Sequence, residues 1–256
     1  MPARTLSEAD SKILLAAHGV PFAPERVVRT AEEAVAAATE VGLPVVVKLN
    51  GDAIAHKTER GLVRLNLADG EAVADAAASL LAAATPDDGE VGLLVAPMLR
   101  GNRELIAGLA DDPQFGMTVM VGIGGILAEA IADVAIRPVP ITATDAAEMI
   151  AELRTQALLG EFRGEPAVDR DALAAVVLGL SAAAEADPTI RSADLNPLII
   201  VDGKPIAVDA LVEVADPADD GAAATAARTT RPTDEAFRAL FEPKGIVVAG
   251  ASSHPG

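Results

Sequence analysis

Apolar positions along the chain change period several times, and each change predicts an element. "TLSEADSKILLAAHGVPF" carries a helical apolar pattern behind a Ser7-x-x-Asp10 start and stops at Gly19 and Pro21. The β-branched runs "ERVVRT" and "PVVVKLN" read as strands on either side of a helix, "AEEAVAAATEVG". "GLVRLNL" alternates as a half-exposed strand does, a helix spans residues 70–84, and "VGLLVAPML" is a further strand. Residues 1–97 therefore read as an α/β lobe.

From "RELIAGLADD" onward the strands come in hairpin-like succession: "MTVMVGIGG", "ILAEAI" and "DVAIRPVPI". Two helices follow, "ATDAAEMIAELRTQALL" and "DRDALAAVVLGLSAAAEAD". A last strand pair, "LNPLIIV" and "PIAVDALVEV", is joined by the turn "DGKP". Residues 98–214 thus read as an α+β lobe around an antiparallel sheet. The Ala/Asp/Thr/Pro-rich segment 215–233 has the composition of a flexible linker. Residues 234–256 hold a short helix, the strand-like "GIVVAG", and "GASSHPG", a glycine-rich turn suited to backbone contact with a phosphate.

Composition narrows the function. The 256 residues carry a net charge of −18, which argues against nonspecific nucleic-acid or anionic-membrane binding. Cysteine is absent, so disulfides, thiolate catalysis and Cys-type zinc sites are excluded. Neither a signal core nor an apolar run of membrane-spanning length occurs, which points to a soluble, cytoplasmic protein. Only five lysines are present, and two of them, Lys48 and Lys57, lie together in "VVVKLNGDAIAHKTERG".

No P-loop occurs, and "GIGGIL" lacks the third small residue of a dinucleotide fingerprint. Lys48, near a strand end, can reach phosphates as a point charge, with Lys57 and Gly61 in the following loop. It can equally snorkel, and His56 beside Lys57 can be a solvated pair. Asp194, Asn196 and Asp209 fall at facing ends of neighbouring strands, as Mg²⁺ ligands do; an Asx turn before Pro197 is the structural alternative. Glu104, Glu129, Asp133, Arg137 and Arg163 lie among glycines and can equally be exposed ion pairs. His18, at a helix end, reads as structural.

Together "PVVVKLNGDAIAHKTERG", "RELIAGLADDPQFG", "VGIGGILAEAIADVAIRPVPIT", "RGEP" and "DLNPLIIVDGKPIAVDA", in that order, resemble the ATP-grasp subunit of ADP-forming acyl-CoA synthetases, relatives of succinyl-CoA synthetase. The resemblance spans about residues 5–214. It implies a two-lobed ATP-grasp fold, and the tail resembles the truncated start of a Rossmann-like CoA-binding domain. The implied reaction is acid + CoA + ATP ⇌ acyl-CoA + ADP + phosphate, with His56 carrying a phosphoryl group.

The same resemblance implies Lys48, Lys57, Gly61, Val95, Ala96, Met98 and Glu104 as ATP contacts, and Asn196, Asp209 and Asp194 as Mg²⁺ ligands. Gly124, Gly125, Glu129, Asp133, Arg137 and Arg163 would support the phosphate relay. ATP or ADP and Mg²⁺ are the implied cofactors, and CoA would bind the missing domain, on the same longer chain or a partner subunit of an oligomeric enzyme. Three positions depart from the family pattern: Leu62 follows Gly61 where a second glycine is usual, Ala96-Pro97 replaces a common Gln, and Ser192 replaces a frequent Glu. Alternatives are an ATP-grasp carboxylate ligase working through a free acyl phosphate, and a non-catalytic nucleotide-sensing module.

Overall fold

In the computed structural model the described residues are 3–51, 54, 57, 60–125, 131–215, 238 and 242. The chain divides into two units, Met1–Asp216 and Pro217–Gly256. The expected linker beyond Ala215 and the terminal strand-and-turn lie outside the described residues.

The smaller sheet grows around β3 (Val45–Gly51), which is buried along its whole length. Alternation sends Val45, Val47 and Leu49 into one core, leaving Val46, Lys48 and Asn50 on the opposite face. β3 pairs with β4 (Val63–Leu67) and β5 (Val91–Pro97), and β5 pairs with β2 (Arg26–Val28), all antiparallel. The helix–strand alternation of this lobe thus surrounds an antiparallel sheet. Helices α1 (Glu8–Ala16), α2 (Ala31–Val41) and α3 (Gly70–Ala82) precede or thread this region. α2 opens with a Thr30/Glu33 capping box, and Asp69 caps α3 by accepting from the Ala72 N–H. Alanines on α2 and α3 let both helices lie close over β3 and β5.

The larger sheet comprises β1 (Ala3–Thr5), β6 (Glu104–Asp112), β7 (Gly116–Ile123), β8 (Val134–Pro138), β9 (Ile190–Val201), β10 (Lys204–Ala207) and β11 (Leu211–Ala215). Its order is β1-β11-β9-β6-β7-β8, with β10 also on β9. α1, α4 (Ala143–Glu152) and α5 (Arg170–Ala186) pack on this sheet, burying Leu15, Met149, Val177 and Leu180 in one core. β1 and α1 join this sheet although they precede the smaller one in sequence.

Two sequence expectations need correction. "ILAEAI" was expected as a strand, but Ile131 is helical and the rest lies outside the described residues. "PIAVDALVEV" is two strands rather than one. β10 and β11 as far as Glu213 keep one register along β9, which shifts between Glu213 and Val214, and the break between the two strands falls opposite Asn196-Pro197. Proline has no amide N–H to donate to a ladder, so opposite Pro197 only the Val208 N–H bonds across, to the Pro197 carbonyl at 3.2 Å. Among the described residues no helix is long and apolar enough to cross a membrane.

α5 and the turn after α1 meet closely at Gly179, where a Cβ would lie 2.6 Å from the His18 carbonyl oxygen. Replacing a helical glycine by alanine ordinarily stabilises by about 1 kcal/mol. Here the methyl has no room, so Gly179→Ala is expected to destabilise by about 1–3 kcal/mol. The readout is a lowered urea midpoint with an unchanged slope; a raised midpoint would contradict this packing.

Candidate functional site: a lysine-headed cleft between two sheets

Residues of both sheets enclose a cavity of about 330 Å³. Val46, Val63 and Ala96 form one wall, Ile199 and Val208 the other, and Met98 belongs to the connecting segment. The lining is mostly apolar, suited to a flat heterocycle, and Lys12, Lys48 and Asp209 stand among it. Ala96 and Met98, which the resemblance implied as ATP contacts, line this cavity. Val95 does not: strand alternation turns its side chain into the core of the smaller lobe.

Lys48 reaches the cavity because it shares the β3 face of Val46. Its ammonium donates to Glu8 Oε1 at 2.6 Å and to the Val208 carbonyl at 2.9 Å, with Asp209 Oδ2 at 3.5 Å. Lys57 donates to the other oxygen, Glu8 Oε2, at 3.0 Å. Lys12, one turn along α1 from Glu8, lies 2.8 Å from Glu8 Oε1 and donates to Glu25 at 2.7 Å. Glu8 is fully buried. Burial alone would raise its pKa, but the ammoniums of Lys48, Lys12 and Lys57 outweigh burial and hold the carboxyl well below the usual carboxylate range. The Asn50 side chain, on the same β3 face, accepts from the Ala9 N–H and so ties the first turn of α1 to β3.

The oxygen-rich end of the cleft follows from the strand break. Asp194 and Asn196 alternate onto one face of β9, and the register carried through the break sets Asp209 opposite Asn196. Burial raises the Asp209 carboxyl, Glu8 adds to the shift, and Lys48 opposes it. Burial and then Asp209 raise Asp194, a shift limited by solvent since Asp194 is exposed. Among the described residues no three His, Asp or Glu side chains form a closed metal cage. Two carboxylates and an amide oxygen still fit Mg²⁺, which completes its shell with waters and phosphates.

Other expected residues divide. Gly124 donates its N–H to the Glu104 carbonyl at 2.8 Å, and Gly125 lies beside the Glu104 side chain, so these three form one group. Asp133 and Arg137 are corrected to structural roles. Asp133 is buried and accepts from the Arg154 N–H, the Thr155 N–H and the Thr155 hydroxyl. Arg137 shares the helix-covered face of β8 with Ala135 and pairs with Glu152 of α4. Arg163 is exposed, has φ +50°, and lies over the Phe162 ring. Gly61 adopts φ +66°, a glycine conformation, while the Leu62 side chain is buried in the smaller core. His56 and Glu129 lie outside the described residues.

Sequence reading missed Glu8, Lys12 and Arg103. Arg103 is buried and donates to the carbonyls of Leu158, Gly160 and Pro166, holding the loop that carries Arg163. For Glu8 and Lys12 a signal existed: with Leu15 they occupy the buried stripe of α1, where charged residues need partners.

Folded Glu8 titrates below its ordinary value of 4.5, so its stabilisation is complete above that pH and is lost as pH falls. Glu8→Gln is expected to be less stable than wild type by about 3–5 kcal/mol near neutrality. The gap should narrow as pH drops below 4.5. Urea unfolding across that range checks this; a gap independent of pH would refute the charge assignment.

Residues 2–214 match the family described as the ATP-grasp domain. The beta subunit of acetate–CoA ligase (ADP-forming) I from Pyrococcus furiosus is 38% identical over 210 residues, covering 81% of this chain and 90% of that subunit. Acetate–CoA ligase (ADP-forming) I from Archaeoglobus fulgidus is 34% identical over 207 residues, which are 78% of this chain but 30% of that longer protein. Among solved structures is the Ca. Korarchaeum cryptofilum dinucleotide forming acetyl-coenzyme A synthetase 1 with coenzyme A and Mg-AMPPCP, its phosphohistidine segment pointing towards the nucleotide binding site. It is 34% identical with a TM-score of 0.69, over 81% of this chain and 92% of that one. An antiparallel two-sheet body with a lysine-headed cleft, matched along nearly its whole length, thus belongs to the ATP-grasp family and is homologous to the ATP-grasp subunit of the ADP-forming acetate–CoA ligases.

Proposed function

We propose that this chain binds Mg·ATP in the cleft and serves as the nucleotide half of an ADP-forming acyl-CoA synthetase, which converts acid, CoA and ATP to acyl-CoA, ADP and phosphate. The observation that carries the reading is Lys48, whose ammonium stands at the head of an apolar cavity opposite Asp209. The adenine would lie against Val46, Ala96 and Met98, with its phosphates towards Lys48 and Lys57. Asp209, Asn196 and Asp194 would hold Mg²⁺, which when bound supplies charge stabilisation to the transferring phosphoryl group.

His56 is the group we assign to carry that phosphoryl. It is the residue before Lys57, whose ammonium is anchored on Glu8 Oε2. A neutral imidazole nitrogen is nucleophilic near pH 7 and can pass a phosphoryl group to a distant acyl site. The relative with a phosphohistidine segment near its nucleotide site supports this reading. The much longer Archaeoglobus relative favours a CoA-binding half on the same chain or on a partner subunit.

Incubating the protein with Mg²⁺ and γ-labelled ATP tests the proposal. Acid-labile, base-stable label is expected on wild type and absent from His56→Asn, which should still bind ATP. Lys48→Met is expected to weaken ATP by at least about tenfold, the loss of one charge-assisted phosphate contact. ATP binding without label would point instead to a free acyl phosphate or to nucleotide sensing.

A further inference from the structure

Glu8 is buried, does not line the cleft, and bonds Lys48, which lines it, together with Lys57 from the loop after β3. Its two oxygens divide the task. Oε1 takes Lys48 at 2.6 Å and Lys12 at 2.8 Å, and Oε2 takes Lys57 at 3.0 Å. One carboxylate therefore sets the separation of the Lys48 and Lys57 ammoniums. Lys12 also pairs with Glu25 at 2.7 Å, so two carboxylates neutralise it. Lys48 has two short bonds, to Glu8 and Val208, while Asp209 lies farther off at 3.5 Å. Lys57 is held by Glu8 Oε2 at 3.0 Å. An ammonium carries three donors, so both lysines keep donor capacity for phosphate oxygens.

We propose that Glu8 is a positioning residue for the phosphate-binding wall: it fixes Lys48 and Lys57 side by side at the spacing that receives adjacent phosphate groups, without itself touching the nucleotide. The proposal deepens the nucleotide reading above and rests on it. Lysine stems are long and flexible, and each free ammonium costs entropy to place. A buried, ionised carboxylate bonded to both removes that cost before the ligand arrives. Asn50 serves the same arrangement, since it ties the first turn of α1, and with it Glu8, to β3, while Ser7 caps that turn by accepting from the Asp10 N–H.

Glu8→Asp in the full chain is the decisive variant. It keeps the charge and shortens the arm by one methylene, so one carboxylate no longer spans both ammoniums. ATP and ADP affinity should fall at least about fivefold, while adenosine, which lacks phosphate, should bind as in wild type. Calorimetric titration of the three ligands reads this directly. Asp88→Asn breaks the ion pair of a buried carboxylate with the exposed Arg60, and serves as a control away from the lysines whose ATP-to-adenosine affinity ratio should equal that of wild type. If Glu8→Asp binds ATP and ADP like wild type, or loses adenosine by the same factor, Glu8 is a structural residue and the proposal falls. If wild type itself binds adenosine but gains nothing from the phosphates, the nucleotide reading falls with it.

Discussion

A carboxylate removed from water survives ionised only when opposite charges and hydrogen bonds replace its hydration. Glu8 meets that condition with three lysines drawn from α1, β3 and the loop after β3. Lys48 then continues the chain of contacts to the Val208 carbonyl and Asp209, between β10 and β11 of the larger sheet. The same charges that satisfy Glu8 thus link the two sheets across the cleft. This makes the electrostatics of the cleft part of the fold: removing Glu8 would take from the buried Lys48 and Lys57 the carboxylate they share. A strongly acidic chain with five lysines spends three of them on one glutamate.

The opposite wall depends on an irregularity. β9 carries two successive strands on one edge, in one register, and its Pro197 has no N–H to offer between them. The chain leaves the ladder at Val208–Ala210, which frees the Val208 carbonyl for Lys48 and leaves Asp209 opposite Asn196. Regular pairing would have used that carbonyl within the sheet. A lapse of pairing thus creates an acceptor and an acid beside the ammonium. Leu62 shows the complementary case: a large side chain beside the loop glycine is absorbed by the smaller core, so it does not fill the cleft.

Much of this was legible in the sequence. Period-2 and period-3.6 patterns located most strands and helices, because burial on one face imposes those spacings. Lys48 stood out because a charge within "PVVVKLN" interrupts an otherwise apolar run, and Asn196-Pro197 with Asp209 because acids at strand ends carry chemistry. For Asp133 and Arg137 the sequence left relay support and ion pairing open, since nothing in their spacing tells where helices pack; with α4 in place, Asp133 accepts from its exit and Arg137 pairs with its Glu152. Val95 was misplaced for a related reason: neighbouring residues on a strand point opposite ways, so Ala96 and Val95 cannot both offer side chains to one cavity.

Residue types and their order, by themselves, determined the family and the two-lobed body and singled out Lys48, because motif spacing and apolar periodicity are local properties of a chain. What the tertiary structure decided was the partnership of those residues. Glu8 lies 40 positions from Lys48, and Lys48 lies 160 from Val208. Charges at such separations interact only after two sheets and a helix close around them, and it is this closure, taking Glu8 out of water, that binds it to its lysines.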